Sequence, residues 1–367
     1  MGKTGFLILE NGQIFEGKSF GNDRDVEGEV VFNTGMVGYP EGFTDPSYFG
    51  QILTLTYPLI GNYGVPQYLR KDQILSNFES DKIHIRGLIV SSYIENNSHW
   101  QSYQNLSSWL KEEKVPALYG IDTRTLTKII RETGVMNGKI VLNNPETTGI
   151  NFYDINKENL VSHVSCVKPI QYGNGKFKIM LLDCGVKYNQ LRILLKYNVT
   201  VIRVPWNYDP FSQLNEFKFD ALIISNGPGD PKQVTTTIET VKKAINLDIP
   251  ILGICLGNQI LALAAGADTY KLKYGHRGQN QPVIDELNRK CYITTQNHGY
   301  AVDKESLPPG WSPWFTNLND MTNEGIRHNK LPFFTSQFHP EAAPGPTDTE
   351  WILEFFIKEA KKWLKIN

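Results

Sequence analysis

From residue 178 onward strands and helices alternate along the chain, and that rhythm limits the folds open to it. Residues 178–183 are a short continuous apolar run, as expected of a strand buried on both faces. Helical spacing follows at 189–197, 235–246 and 258–265, interleaved with strand-like runs at 200–204, 221–225 and 250–254. This is the pattern of an α/β domain: an open, mostly parallel sheet with helices on both faces. Ligands bind such sheets at the carboxyl ends of the strands.

The first half reads differently. Asn11-Gly12 separates two alternating stretches, 5–10 and 13–19, a hairpin signature. Apolar runs follow at 30–32, 52–56 and 88–92, and 123–131 has helical spacing, so a mixed α+β domain is expected. The Gly- and Pro-rich passage 33–48 reads as a surface loop, a place where binding residues often sit. Gly, Pro and polar residues crowd 168–176, which reads as a linker between domains at 1–168 and 177–367. Residues 12–19 satisfy the phosphate-loop pattern GxxxxGK[ST], but they alternate like a strand and no helix follows. No other nucleotide motif is present, so no ATP is expected on this chain.

Lys plus Arg number 37 and Asp plus Glu 38, giving a net charge of -1. That balance offers no electrostatic reason to expect nucleic acid or an anionic membrane as partner. The four cysteines form no CxxC pair, which argues against a disulfide framework or zinc knuckle and fits a reducing compartment. The opening apolar run is too short for a signal peptide and no stretch has the length of a membrane span, so a cytoplasmic location is expected.

Chemistry concentrates in three places. Residues 253–257 (GICLG) have the form of a nucleophile elbow with Cys255 at its apex. The strand run before it and the helix after it require a tight turn, hence small residues at 253 and 257. The turn sets the sulfur near a helix N-terminus, whose partial positive charge favours thiolate, and aims the Leu256 N–H at a developing oxyanion. A buried structural cysteine is the plainer alternative; strand, GxCxG and helix together favour the nucleophile. The second place is the run 333–338, which ends in His339-Pro340-Glu341. Residues i and i+2 of extended chain point the same way, so Glu341 can orient the His339 ring. A histidine at a strand end is often only a surface residue, but with the elbow in the same sheet a Cys–His–Glu set is favoured. The third is 225–231 (SNGPGDP), directly after a strand, whose glycines let backbone approach a ligand and offer N–H donors. The other histidines show no metal-ligand spacing, and no metal is expected. His276 and His298 read as loop-structuring residues.

These motifs resemble a known family. Residues 225–231 (SNGPGDP), 253–259 (GICLGNQ) and 338–341 (FHPE) are similar to the three signatures of class I glutamine amidotransferases, which split glutamine through a glutamyl-thioester. Residues 30–40 (VVFNTGMVGYP), 44–48 (TDPSY) and 54–64 (TLTYPLIGNYG) resemble the N-terminal domain of carbamoyl-phosphate synthetase small subunits. Residues 274–283, 296–302 and 341–346 fit the same pattern, so the resemblance spans nearly the whole chain. It implies catalysis by Cys255, His339 and Glu341, and glutamine contacts at Ser47, Gly227, Gly229, Leu256, Gln259, Asn297, Gly299 and Tyr300. With Ser47 coming from the first half, the pocket is expected between domains. The resemblance further implies L-glutamine as substrate and a large-subunit partner, in a heterodimer or larger assembly. ATP and Mg would be used on that partner, with no cofactor on this chain. Asn258 departs from the histidine more usual at that position. Some relatives carry serine as nucleophile and are inactive as glutaminases, whereas Cys255 is retained here. Rival readings are the amidotransferase of another synthetase, a stand-alone γ-glutamyl hydrolase, and a silent regulatory subunit that keeps the fold.

Overall fold

The Asn11-Gly12 turn behaves as its residue types dictate: Gly12 takes a φ of 86° and closes the hairpin between β1 (Thr4–Leu9) and β2 (Ile14–Ser19). The residues of the phosphate-loop pattern therefore lie in a strand and its turn. The computed structural model describes residues 2–142, 152, 154–212 and 216–366. The chain divides into two compact units, Met1–Lys157 and Glu158–Asn367.

The first unit closes its main sheet into a barrel. Its strands continue with β3 (Val26–Asn33), β4 (Gln51–Leu55), β5 (Gly87–Val90), β6 (Ala117–Tyr119) and β7 (Met136–Val141), in the order β1-β7-β3-β4-β5-β6-β2. Closure leaves no open edge in this sheet. The passage 33–48, expected as a surface loop, is exposed at Met36 and Val37 but packs inward from Tyr39 on. It folds into the short helix α1 (Tyr39–Phe43) and a 3-10 turn at Pro46–Tyr48, and buries Tyr39, Phe43 and Tyr48. The aromatic residues in the passage explain the difference, since an apolar side chain gains more from burial than loop composition suggests. Asp45 caps the 3-10 turn by accepting from the Ser47 N–H at 2.9 Å. The unit is completed by α2 (Leu106–Glu112) and α3 (Thr123–Thr133). Helix α3 starts on the Asp122 cap, which accepts from Thr125 N, and ends at Gly134.

The second unit is a ten-stranded sheet. Its elements in chain order are β8 (Ile170–Tyr172), β9 (Phe177–Asp183), α4 (Tyr188–Leu195), β10 (Val199–Pro205), β11 (Ala221–Ile224), α5 (Thr235–Asn246), β12 (Ile251–Ile254) and α6 (Leu256–Ala265). There follow β13 (Thr269–Asp285), β14 (Cys291–Val302), β15 (Trp311–Asn317), β16 (Asn323–His328), β17 (Phe333–Ser336) and α7 (Trp351–Leu364). The strand order is β8-β10-β9-β11-β12-β17-β16-β15-β13-β14. Strands β10, β9, β11, β12 and β17 pair in parallel, and antiparallel strands extend the sheet on either side. The parallel strands are the continuous apolar runs of the sequence, and β9, β11 and β12 are buried almost throughout. Helix α5 packs on α6 and α4 on α7. Gly266, at φ 101°, ends α6, with Ala267 N closing back on Ala262 O.

The division between units falls ahead of the linker suggested by composition. Val161 joins the core formed by Met180, Leu182, Leu222 and Ile260, and β8 pairs with β10, so residues from 158 on belong to the second unit. The segments containing His276 and His298, expected as loops, are instead the two long strands β13 and β14, with these histidines opposite each other. Among the described residues no helix is long and apolar enough to cross a membrane.

Candidate active site

The carboxyl ends of β12 and β17 lie side by side, and each leads into one residue of the expected catalytic set. Gly253 pairs with Thr335 and Ile254 with Ser336. One residue on, Cys255 N donates to Ser336 O at 2.7 Å. Cys255 then takes φ 54° and ψ -104°, a backbone conformation that costs a non-glycine residue about 1–3 kcal/mol. Helix α6 begins at the next residue. The flanking glycines are required by contact: a Cβ at Gly253 would lie 2.4 Å from Gly257 O, and one at Gly257 would lie 2.1 Å from Ile224 O. This is the strand–turn–helix elbow expected from the sequence, with its strain located at Cys255.

His339 lies just beyond β17, held by a hydrogen bond from its N–H to Thr295 O at 2.9 Å. Its Nδ1 meets Glu341 Oε1 at 2.8 Å. The other ring nitrogen, Nε2, has no hydrogen-bond partner among the described residues. Burial opposes a charge on His339, but the Glu341 carboxylate and the neighbouring Cys255 outweigh it and raise the imidazole to about 10. Burial likewise opposes ionisation of Glu341, yet His339 and Lys187 hold its carboxyl down to about 2. Cysteine, imidazole and carboxylate therefore form one charge-coupled set.

Further residues support the carboxylate. Lys187 is fully buried, with Nζ 3.8 Å from Glu341 Oε1, and it donates to Ala342 O. Gln190 Nε2 reaches Glu341 Oε1 at 3.1 Å and Asn226 Oδ1 at 2.9 Å. Asn226 Oδ1 also accepts from Lys187 N, tying the 225–231 turn to the start of α4. A buried ammonium beside a buried carboxylate is tolerable because both are hydrogen-bonded, and removing either would strand the other.

Among the residues expected to contact substrate, Leu256 opens α6, and neither its N–H nor that of Gly229 is spent on another hydrogen bond among the described residues. Gly229 has φ 87°, and a Cβ at Gly227 would lie 2.1 Å from Cys184 O. Asn297, Gly299 and Tyr300 lie along β14. The Cys255 thiol is 3.8 Å from Asn297 O, and Gln259 Nε2 donates to Tyr300 O at 2.9 Å. The second unit thus gathers the elbow, the His339–Glu341 pair, Gln259 and the Asn297–Tyr300 segment. Ser47 is buried in the first unit, at its capped 3-10 turn.

Comparison with known proteins gives the family. Residues 180–359 match the glutamine amidotransferase class-I family, and residues 7–140 match the carbamoyl-phosphate synthase small chain, CPSase domain. The chain belongs to the carbamoyl-phosphate synthase small-chain family. It is 51% identical to multifunctional protein CAD of Squalus acanthias over 97% of its own length and 16% of that protein. It is 47% identical to multifunctional protein pyr1-3 of Dictyostelium discoideum, covering 97% of this chain and 17% of the relative. It is 49% identical to the mitochondrial carbamoyl-phosphate synthase [ammonia] of Mus musculus, covering 98% and 24%. The chain therefore spans a quarter or less of the length of these relatives.

A second polar cluster was not foreseen. His276, His298 and Glu324 bring their ligating atoms within 4.8 Å of one another, a grouping made across strands that linear spacing hides. Burial opposes protonation of His276, but hydrogen bonds to Asp320 (2.8 Å) and Glu324 (3.1 Å) raise it to about 9. Its charge thus faces two acidic groups: Asp320, which against the cost of burial is lowered by its hydrogen bonds to His276 and Thr322, and Glu324, which burial raises. Burial, reinforced by the His276 cation, pushes His298 well down, so that ring is neutral. Lys187 was also unforeseen. Its place just past the carboxyl end of β9 was the available signal, since ligand sites gather along that edge.

Proposed function

We propose that the chain hydrolyses L-glutamine and supplies the ammonia for carbamoyl phosphate synthesis. The observation that carries this reading is Cys255 on its strained elbow beside the His339–Glu341 pair. Cys255 thiolate attacks the carboxamide carbon, forming a C–S bond, and the Leu256 and Gly229 N–H groups receive the oxyanion. As the C–N bond breaks, protonated His339 gives its proton to the departing nitrogen, releasing ammonia and leaving a glutamyl-thioester. Neutral His339, oriented by Glu341, then takes a proton from water. The water attacks the thioester, the C–S bond breaks and glutamate leaves. Asn297, Gly299, Tyr300, Gln259 and Gly227, all of the second unit, bind the amino-acid portion in this reading.

Ammonia passes to a large synthetase subunit, which combines it with bicarbonate at the expense of ATP. The match of residues 7–140 to the CPSase domain supports this use over that of another synthetase or of a stand-alone hydrolase. Retention of cysteine in a strained conformation supports activity over a silent subunit. The test is carbamoyl phosphate synthesis by this chain mixed with a candidate large subunit, with glutamine or free ammonia as nitrogen source. The reading predicts that glutamine-dependent synthesis requires the chain and ammonia-dependent synthesis does not. Dependence on the chain for neither source would refute it.

A further inference from the structure

Gln337 lies between β17 and His339, and its N–H donates to Glu324 O at 2.8 Å. Its side chain reaches the first turn of α6. There Oε1 accepts two hydrogen bonds, from Asn258 Nδ2 at 2.8 Å and from Gln259 Nε2 at 3.1 Å. Gln259 Nε2 also donates to Tyr300 O at 2.9 Å. All three amides are buried.

The two ends of an amide have nearly the same shape, so orientation must be argued from an atom whose identity is certain. The Tyr300 carbonyl is such an atom. It can only accept, so the Gln259 atom facing it is nitrogen. The Gln337 atom facing that nitrogen must then be oxygen, and the Asn258 atom facing this oxygen must be nitrogen. The arrangement has one solution, anchored on backbone. Both N–H groups of the Gln259 amide are spent, and its Oε1 is left as the open end.

We infer that Gln337 is a positioning residue, which locks the Gln259 amide so that the site presents an acceptor oxygen to the α-ammonium of an amino-acid substrate. The inference rests on the glutamine reading above. Position 259 lies in the first turn of α6, which begins directly after Cys255. That spacing suits a substrate whose carboxamide sits at the elbow and whose amino group lies a side chain's length away. A donor at that place would repel the ammonium, whereas a carbonyl oxygen receives it in a charge-assisted hydrogen bond. Asn258, where the sequence departs from the family's usual histidine, contributes the third member of the clamp.

The experiment compares L-glutamine with glutaramate, its analogue lacking the α-amino group, as substrates of the full chain and of two variants. Gln337→Met removes the acceptor. Gln337→Glu keeps acceptor oxygens and loses only Nε2, which has no partner. Wild type should prefer glutamine. In Gln337→Met the KM for glutamine should rise about tenfold, the loss of a hydrogen bond to a charged group, with kcat little changed and the preference over glutaramate reduced by the same factor. Gln337→Glu should restore both. Alkylation of Cys255 by iodoacetamide, which has no amino group, should proceed at the wild-type rate in both variants. Three results would overturn the inference: an unchanged preference in Gln337→Met, an equal loss on both substrates or in alkylation, or failure of Gln337→Glu to restore. Failure of the glutamine reading itself would be seen separately, as wild type hydrolysing neither substrate, and the inference would fall with it.

Discussion

The second unit contains two buried histidine–carboxylate pairs, His339 with Glu341 and His276 with Glu324, and in the proposed function only the first moves a proton. Both imidazoles are raised by their carboxylates against the cost of burial. They differ at the second ring nitrogen. His276 spends it on Asp320, so both ring nitrogens are held by acidic groups. His339 leaves Nε2 open beside a cysteine held at φ 54°. A buried pair with a raised pKa is therefore a poor marker of catalysis by itself. The open nitrogen and the strained nucleophile distinguish the working pair.

Substitutions can break that contrast, beginning with the largest effect. Cys255→Ala should reduce glutamine hydrolysis to background, with circular dichroism and thermal melting unchanged, because the rest of the elbow is backbone and glycine. His339→Asn should lower kcat by about 10²–10⁴-fold, the range of general acid–base catalysis, measured by glutamate release. Glu341→Gln should cost less, about ten- to a hundredfold, if the lost charge lowers His339 by one or two pKa units. Its signature is a downward shift of the pH profile. His276→Asn should leave glutamine turnover close to wild type and act on stability instead.

That last effect has a defined sign. The folded value of His276, about 9, lies above the ordinary 6.5, so its protonation favours the folded state. The contribution is complete below 6.5 and is lost as pH rises through about 9. Melting temperatures across this range should fall more steeply in wild type than in His276→Asn. His339, raised from the same ordinary value to about 10, loses its contribution over an overlapping range in both proteins, so the difference between their slopes reports His276. Equal slopes would show that Glu324 and Asp320 do not hold a charged His276.

The working pair was legible in the sequence because its parts are local. Gly253, Cys255 and Gly257 belong to one turn, and His339 and Glu341 sit two residues apart at the end of an apolar run. The parallel strands were legible for the same reason, since burial on both faces leaves continuous apolar runs. What was hidden is non-local. Lys187 meets Glu341 from another strand end, Gln337 joins Asn258 and Gln259 from the end of the neighbouring strand, and His276 finds Glu324 only once β13 and β16 are in place. Barrel closure was equally hidden, because β1 pairs with β7 at the far end of the first unit and nothing in the local pattern names that partner. The inward packing of 39–48 shows turn residues overruled by the aromatic side chains between them.

The central claim is that the open pair serves a covalent step at Cys255. The direct measurement is acid quenching of the enzyme during turnover of radiolabelled glutamine, followed by peptide mapping. The account predicts label bound through a base-labile thioester to the peptide containing Cys255, present in wild type and absent in Cys255→Ala. Glutamate release by Cys255→Ala at the wild-type rate, or label on another peptide, would contradict it.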